Sequence, residues 1–396
     1  MSRFVGRRVA GPREPAARTV TVHMVPAVRR RPIALVSDAI GFGGAEVYLA
    51  TLVAALADEL DFIAIVGEQT GAEAARRLAD AGARVARVPG LGRIPRPGAL
   101  RRLAATLRAA DPAVVHANAT DQGDGLSAIL AASLLRRPLA VTVHLALDGR
   151  ARHHEALSGW ALRRAGAVIA VSDAVARRLS ALGVRATVVR NGLPAPVRAP
   201  AARAALGVDE DAVLVGGIGR LAPQKGWDVL CRAAPALRER CPAAVVAIVG
   251  DGPERPRLEE LAAEHGVRLL GPREDAASLL GAFDVLAAPS RFEGLPLVPI
   301  EALHAGVAVV ASDIDGLRDV VDDAGVLVAP DDPAALGAAL GERAADPRRR
   351  SQLAARGRAR AAERFGVRRM ARETLAVYER LLAVPAGGPG SVTIPA

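Results

Sequence analysis

Short apolar segments alternate with helical patterns along the whole chain, and this alternation limits the fold more than any other feature. In the first half, segments with strand character lie at 33–36, 62–66, 84–88, 113–116, 139–143, 167–171 and 187–189. In the second half, they lie at 213–216, 245–249, 267–270, 285–287, 307–310 and 326–328. Amphipathic patterns such as 45–57, 97–110 and 125–135 separate them. Alternation at this spacing predicts parallel, doubly wound α/β sheets.

A proline-rich segment interrupts the alternation between the two halves. Pro194, Pro196 and Pro200 fall within seven residues, which excludes a continuous helix or a central strand there. We therefore predict two Rossmann-like domains, at 31–193 and 206–362, joined by a linker at 194–205 and separated by a cleft. A length of 396 residues agrees with two cores. A long helical region from 333 to 382 ends the ordered chain, and its last part, 363–384, is predicted as a helix that can pack back on the first domain.

The ends of the chain and its cysteines indicate a cytoplasmic protein. The segment 1–30 carries several arginines and no continuous apolar stretch, so we predict a disordered basic extension, with Met24 as an alternative start to Met1. The tail at 385–396 is predicted to be flexible. No apolar run reaches 18 residues, which disfavours a membrane-spanning helix. Cys231 and Cys241 are predicted to be free thiols.

The formal net charge of +10 favours anionic partners. Aromatic residues do not interleave with the arginine runs, and no nucleic-acid-binding motif is present, so nucleic acid is not an expected partner. Phosphate-bearing substrates and an anionic membrane surface remain. Arg101, Arg102 and Arg108 accompany leucines in the 97–110 helix, which leaves open a peripheral contact with the inner membrane face, although the pattern favours a solvated amphipathic helix.

The strongest chemical signal is the segment 289–306, which follows a predicted strand and opens into a helix. Glu293 precedes this helix, and Glu301 is predicted to lie about two turns along it. A helix N-terminus offers free N–H groups to an anion, so Glu293 can reach a sugar beside phosphates while Glu301 reaches ribose hydroxyls. An acidic loop before an ordinary helix is the alternative. The apolar stretch around Glu301 argues against this alternative, because an unpaired carboxylate is costly in apolar surroundings.

A glycine turn at 217–227 carries the second signal. Gly219 precedes Arg220, and Lys225 follows five residues later, so two cations can converge on a diphosphate. The segment also fits the loose G-x-G-x-x-A dinucleotide pattern, but Pro223 and Lys225 favour phosphate binding without a nicotinamide cofactor.

Two features of the first domain are candidates for the opposite wall of the cleft. Gly43 and Gly44 lie in a glycine turn between the first strand and first helix, where a backbone can approach an anion; a tight turn without a ligand is the alternative. His144 ends a predicted strand, which is where ligands bind in open α/β sheets. A structural histidine is equally consistent. Arg190-Asn191-Gly192 reads either as a cleft-lining turn or as an ordinary one.

Together these segments resemble the family-4 retaining glycosyltransferases of GT-B architecture, over most of the chain from residue 33 onward. The Glu293–Glu301 pair with Glu-Gly-Leu-Pro at 293–296 carries the resemblance, supported by Gly219-Arg220-Leu221, Lys225-Gly226 and the Gly-Gly-Ala-Glu turn at 43–46. His304, where a small or apolar residue is expected, is a departure.

The resemblance implies a role for each motif residue. Arg220 and Lys225 would bind the diphosphate of a nucleotide sugar, Glu301 the ribose, and Glu293 the transferred sugar. The backbone at Gly294 and Leu295 would lie near the sugar or phosphates, Gly43 and Gly44 would close on the phosphates, and His144 would line the reaction centre. The candidate catalytic residues are therefore His144, Arg220, Lys225 and Glu293. No cofactor or metal is expected, and Asp313-Ile314-Asp315 is read as an incidental match to a D-x-D motif.

The expected reaction moves a hexose or aminohexose from a nucleoside-diphosphate sugar, such as a UDP-sugar, to an acceptor hydroxyl with retention of configuration. The acceptor is either a small molecule, such as an aminocyclitol, or a lipid-linked cell-envelope molecule. A nucleotide-sugar epimerase or hydrolase of the same fold is the main alternative. An NAD-dependent oxidoreductase is less favoured, and a non-catalytic binding protein least. The oligomeric state is left open.

Overall fold

The computed structural model describes residues 31–39, 41–147, 149, 151–197, 202–209 and 211–383. The predicted extension at 1–30 and the tail at 385–396 lie outside these residues. Within them the chain forms two parallel α/β sheets with helices on both faces, of seven and six strands. This confirms the predicted fold class.

The first sheet has the strand order β3-β2-β1-β4-β5-β6-β7, with every pair parallel. Its strands are β1 Ile33–Ser37, β2 Phe62–Val66, β3 Arg84–Arg87, β4 Val114–Ala119, β5 Leu139–Val143, β6 Ala167–Ala170 and β7 Thr187–Val188. Its helices are α1 Gly44–Leu56, α2 Gly71–Asp80, α3 Pro97–Ala110, α4 Leu126–Leu134, α5 Arg152–Leu162 and α6 Asp173–Ala181. The order changes direction between β1 and β4, and ligands bind at such switch points, beyond the carboxyl ends of the strands.

The second sheet has the order β10-β9-β8-β11-β12-β13 and a switch point between β8 and β11. Its strands are β8 Val213–Ile218, β9 Ala244–Val249, β10 Arg268–Leu269, β11 Val285–Ala288, β12 Ala308–Ser312 and β13 Val326–Val328. The helices are α7 Ala202–Ala205, α8 Trp227–Arg240, α9 Arg255–Glu264, α10 Ala276–Leu279, α11 Leu297–Ala305, α12 Asp315–Val321, α13 Pro333–Ala345, α14 Pro347–Arg364 and α15 Val367–Ala383.

The helical region predicted at 333–382 is divided into three helices. Asp346 separates α13 from α14 because its carboxylate accepts hydrogen bonds from the Arg348 and Arg349 N–H groups, and Pro347 then occupies the first helical position. The last helix begins at Val367, four residues after the predicted start at 363.

Helix α15 returns from the second domain to the first. Its residues Met370 and Tyr378 are fully buried in a core shared with α1 and the first sheet. The Leu193 N–H donates to the Phe365 carbonyl at 2.9 Å, which ties the crossing segment to the start of the linker. Helix α15 is therefore part of the first domain's core.

Helix α3 does not offer the apolar face considered for membrane contact. Leu103 and Leu107 are fully buried, and the helix packs against α4. Arg102 donates to the Pro89 carbonyl. Burial of these leucines within the domain explains the amphipathic pattern, so α3 is a helix with its polar face in solvent. Among the described residues, no helix is both long and apolar enough to cross a bilayer.

Candidate functional site

A cleft of about 690 Å³ lies between the two domains, and loops after the carboxyl ends of strands in both sheets line it. This volume falls in the range typical of small-molecule sites. The second domain contributes a wall that includes Gly219, Arg220, Lys225 and the segment 293–298, and the first domain contributes the opposite wall. The cleft therefore brings together every predicted site residue except Glu301.

Lys225 and Glu293 form an ion pair on the wall of the second domain. The Lys225 Nζ lies 2.6 Å from the Glu293 Oε1, which also accepts a hydrogen bond from the Ser290 hydroxyl at 2.8 Å. The loop that carries Lys225 can approach the loop that carries Glu293 because Gly226 has no side chain. A Cβ at Gly226 would lie 2.1 Å from the Pro289 carbonyl oxygen. The Lys225 ammonium is thus held by the carboxylate predicted to contact the sugar.

Lys225 also stands out in the composition of the chain. It is the only lysine among 52 lysine and arginine residues. Lysine presents a compact charge, whereas arginine presents a planar fork of donors, so the two are not equivalent at a binding site. The presence of a single lysine can be read from the sequence, and it supports the assignment of Lys225 made from the glycine turn at 217–227.

Arg220 is the cation of this wall that is free to bind a ligand. Its side chain is exposed to the cleft, and its guanidinium makes no hydrogen bond or ion pair within the described part of the chain. Its carbonyl accepts a hydrogen bond from the Trp227 indole at 2.9 Å, which fixes the backbone of the glycine turn. A guanidinium held this way suits bidentate binding of phosphate oxygens.

Glu301 lies outside the residues that line the cleft and nearer to the start of its helix than predicted. Because α11 begins at Leu297, Glu301 is its fifth residue, just over one turn along rather than two. Leu297 and Val298 line the cleft, while Glu301 lies one turn beyond them. Burial raises the pKa of Glu301 to about 7, so the carboxyl titrates near neutral pH.

The glycine turn of the first domain faces this helix across the cleft. Glu46 holds the turn: its carboxylate accepts hydrogen bonds from the Gly43 N–H and the Ser37 hydroxyl, both at 3.1 Å. Burial raises the pKa of Glu46. A Cβ at Gly44 would lie 3.4 Å from the Leu297 Cδ1, so the two domains are already in contact at this point.

His144 lines the cleft from the end of β5, and its protonation is defined by Asn118. Burial, with a contribution from the nearby His116, lowers the pKa of His144 to about 3, so the imidazole is neutral. Its Nε2 lies 2.8 Å from the Asn118 Oδ1, while the Asn118 amide nitrogen donates to the Ala45 carbonyl. Because an amide oxygen only accepts, Nε2 carries the proton and Nδ1 keeps a lone pair.

The two domains approach each other closely at Gly294, beside His144. A Cβ at this position would lie 1.7 Å from the His144 carbonyl oxygen. The Arg177–Asp315 ion pair, at 3.1 Å, and the hydrogen bond from the Asp173 N–H to Asp319 join the domains at a second place. The absence of a side chain at Gly294 therefore sets how far the cleft can close.

Comparisons with known proteins agree with this arrangement. The family model for Glycosyltransferase Family 4 matches residues 42–195, and the model for Glycosyl transferases group 1 matches residues 212–346. A lipopolysaccharide core biosynthesis mannosyltransferase of Rhizobium meliloti is 33% identical over 65% of this chain and 77% of its own length. The chain belongs to glycosyltransferase family 4.

Two further proteins are similar to this glycosyltransferase. A 2-deoxystreptamine glucosyltransferase of Streptomyces kanamyceticus is 32% identical over 65% of this chain and 74% of its own. The crystal structure of Anabaena HepE in complex with UDP-glucose superimposes with a TM-score of 0.76 at 24% identity, covering 87% of this chain and 99% of that one. The latter shows that the fold is GT-B.

Several cleft residues of this glycosyltransferase were not assigned a role from its sequence. Asn191, left open between a site residue and a turn, lines the cleft with a buried Oδ1 that has no hydrogen-bond partner in the described chain. Arg93 enters from the loop after β3 and donates to Asp124 and, at 2.7 Å, to Asp121. The position of Arg93 depends on contacts between distant loops, and no local motif marks it, whereas the Arg190-Asn191-Gly192 turn marked Asn191 as a candidate.

His304, Asp313 and Asp315 are not among the residues that line the cleft. His304 Nε2 lies 3.3 Å from the Phe365 carbonyl oxygen, which explains this departure from the family pattern. Asp313 and Asp315 both pair with Arg318. Within the described residues, no three histidine, cysteine or acidic side chains are grouped as metal ligands would be.

Proposed function

We propose that this glycosyltransferase is a retaining, metal-independent enzyme that transfers a hexose or aminohexose from a UDP-sugar to an acceptor hydroxyl. The observation that carries the proposal is the wall on which Arg220 and the single lysine, Lys225, converge beside Glu293. Two cations there compensate the charge of a departing diphosphate, which is the task a metal performs elsewhere. UDP is favoured as the nucleotide because the similar HepE structure contains UDP-glucose.

Donor binding would rearrange the ion pair between Lys225 and Glu293. The diphosphate would bind Arg220 and draw Lys225 away from Glu293. The Glu293 carboxylate would then be free to accept hydrogen bonds from sugar hydroxyls, supported by the Ser290 hydroxyl. The lone pair of His144 Nδ1 would accept a further hydroxyl hydrogen bond. The diphosphate and the sugar hydroxyls of the nucleotide sugar would thus each have a partner of matching chemistry.

The transfer step needs no enzymic base. The acceptor oxygen would attack the anomeric carbon from the face that the diphosphate leaves, the bond to the phosphate oxygen would break, and that oxygen would take the acceptor's proton. Configuration is then retained. Lys225 and Arg220 would stabilise the developing charge, whereas neutral His144 would neither give nor take a proton.

The acceptor would bind on the wall of the first domain. Arg93, Thr120 and Asp124 line this part of the cleft and offer both donors and acceptors. The similar Streptomyces enzyme is named for 2-deoxystreptamine and the Rhizobium enzyme for a lipopolysaccharide core. We propose a polyhydroxylated small molecule, with a cell-envelope acceptor reached from the cytoplasmic membrane face as the second candidate.

The proposed function is tested by binding and by product stereochemistry. A thermal-shift panel of UDP-glucose, UDP-galactose, UDP-N-acetylglucosamine and GDP-mannose should give a raised Tm with UDP-sugars, because a ligand bound by the native state stabilises it. The anomeric proton coupling of the product, with 2-deoxystreptamine as the first acceptor, should match that of the donor. Inverted configuration would contradict the mechanism, and cofactor-dependent absorbance changes would favour an oxidoreductase.

Because Lys225 is the only lysine, an amine-directed reagent provides a second test of the donor site. Modification of the purified full-length protein should label Lys225 and the chain terminus, and UDP-glucose should protect Lys225 while leaving terminal labelling unchanged. Mass spectrometry of the peptides measures both sites in one sample. If a nucleotide sugar binds but Lys225 is labelled equally with and without it, the diphosphate does not bind at Lys225.

Affinity for the donor should rise with pH through neutrality. The pKa of Glu301 is about 7, and the ionised form accepts two ribose hydrogen bonds. If the ionised form binds, affinity for UDP-glucose should increase about tenfold from pH 6 to pH 8, following the ionised fraction. UDP-glucose suits this titration because its diphosphate is a diester and keeps its charge over this range. Calorimetric titration measures the change.

The matched control for the pH titration is Glu301→Gln. The amide keeps the size of the side chain and does not ionise, so the variant should bind more weakly at pH 8 and lose the tenfold dependence. A wild-type affinity that stays constant across this range would show that Glu301 does not bind the ribose in its ionised form.

A further inference from the structure

Both tyrosines of the chain lie in one buried polar network beneath the cleft. Tyr48 belongs to α1 and Tyr378 to the returning helix α15, and neither exposes more than 1% of its surface. His116 on β4 and Thr142 on β5 lie between them and are also fully buried. In a chain with only 3% aromatic residues, placing both phenol hydroxyls here indicates a role that apolar packing alone would not need.

The four side chains form a continuous chain of hydrogen bonds. The Tyr378 Oη lies 2.6 Å from His116 Nδ1, and His116 Nε2 lies 2.7 Å from the Thr142 Oγ1. The Thr142 hydroxyl in turn lies 3.3 Å from the Tyr48 Oη. Burial lowers the pKa of His116 to about 4, so the imidazole is neutral and must donate through one nitrogen and accept at the other. The orientation of every hydroxyl is therefore linked to that of its neighbours.

The network ends at His144. The Tyr48 ring meets the His144 imidazole edge to face, with centroids 4.9 Å apart and planes at 71°. Asn118, two residues after His116 on β4, supports the other side of the imidazole through Nε2. His144 is thus held by one hydrogen bond and one aromatic contact, and the second depends on the position of Tyr48.

We propose that Tyr378, His116 and Thr142 are positioning residues that fix the Tyr48 ring and, through it, the His144 imidazole at the reaction centre. The inference rests on the proposed function of His144 in sugar transfer. In this proposal, the packing of α15 on the first domain contributes to the site as well as to stability. Helix α15, which follows the second domain in the chain, would order a side chain on the first domain's wall of the cleft.

The inference is tested with Tyr378→Phe, which keeps the ring and removes one hydrogen bond. With UDP-glucose as probe, and with the UDP released when glucose is transferred to water or to the acceptor as the readout, kcat should fall about tenfold while KM for the donor changes less than twofold. In a His144→Ala background, the same substitution should change kcat less than twofold, because the effect passes through His144. Equal losses in both backgrounds would overturn the proposal.

Two further variants separate positioning from stability. Leu375→Ala, in the same helix and 2% exposed, should lower the Tm at least as much as Tyr378→Phe yet leave kcat within twofold. Thr142→Val breaks the network at its centre and replaces Tyr378→Phe if that variant does not fold. A loss of kcat in Leu375→Ala as large as in Tyr378→Phe would make the effect one of stability.

The imidazole itself gives a readout that does not require turnover. The proton and carbon chemical shifts of the His144 ring should move in Tyr378→Phe and stay near wild-type values in Leu375→Ala. Unchanged shifts in Tyr378→Phe contradict the positioning role. If Tyr378→Phe moves the His144 ring shifts but the wild-type protein releases no UDP from any nucleotide sugar, the positioning role stands and the proposed function is contradicted.

Discussion

Replacing Lys225 by alanine is expected to lower kcat about 10²- to 10³-fold. The substitution removes one of two cations placed to stabilise the departing diphosphate, and losing one such preorganised contact costs roughly 3–4 kcal/mol of transition-state stabilisation. The loss should fall mainly on kcat, because the negative charge on the diphosphate that Lys225 would compensate grows as the sugar–phosphate bond breaks. Steady-state release of UDP from UDP-glucose measures the effect.

The fold should survive this substitution. The Glu293 carboxylate loses its ion pair but keeps the hydrogen bond from the Ser290 hydroxyl and one from Gln224 at 3.3 Å. Arg257→Ala is the matched control, because it removes one exposed positive charge from the same domain outside the cleft, and it should leave kcat within twofold. Undiminished transfer by Lys225→Ala would remove the central role proposed for this lysine.

Gly294→Ala is expected to reduce kcat/KM about 100-fold or more by holding the domains apart. The added Cβ would lie 1.7 Å from the His144 carbonyl oxygen and 3.2 Å from the Leu145 Cα, both backbone atoms that no side-chain rotation can relieve. The two walls must therefore separate by more than 1 Å, and a misplacement of about 1 Å can cost 10²-fold in rate.

Binding and transfer should separate in the Gly294→Ala variant. The second domain carries the two cations proposed to bind the donor, so affinity for UDP-glucose should fall far less than kcat. Gly366→Ala is the matched control, since its Cβ would meet only the Ala362 carbonyl oxygen at 3.6 Å, an ordinary contact. Wild-type transfer by Gly294→Ala would show that the closed arrangement is not the reacting one.

The sequence by itself determined the fold class and the location of most of the site. Periodicity repeats along each strand and helix, and β2, β5, β13 and α3 have the predicted bounds. Motif residues such as Arg220 and Lys225 follow strands, and the carboxyl ends of parallel strands meet at one edge of a sheet. Local pattern and short-range turn chemistry are therefore enough to predict that these loops line a cleft.

The tertiary structure decided what depends on distant segments meeting. The pairing of Lys225 with Glu293, the approach of Gly294 to His144, and the chain from Tyr378 to Tyr48 join residues far apart in sequence. No local propensity encodes such contacts, because they result from how whole elements pack. The depth of Glu301, which raises its pKa, likewise follows from burial by neighbouring elements, and the sequence shows only that it lies in an apolar helix.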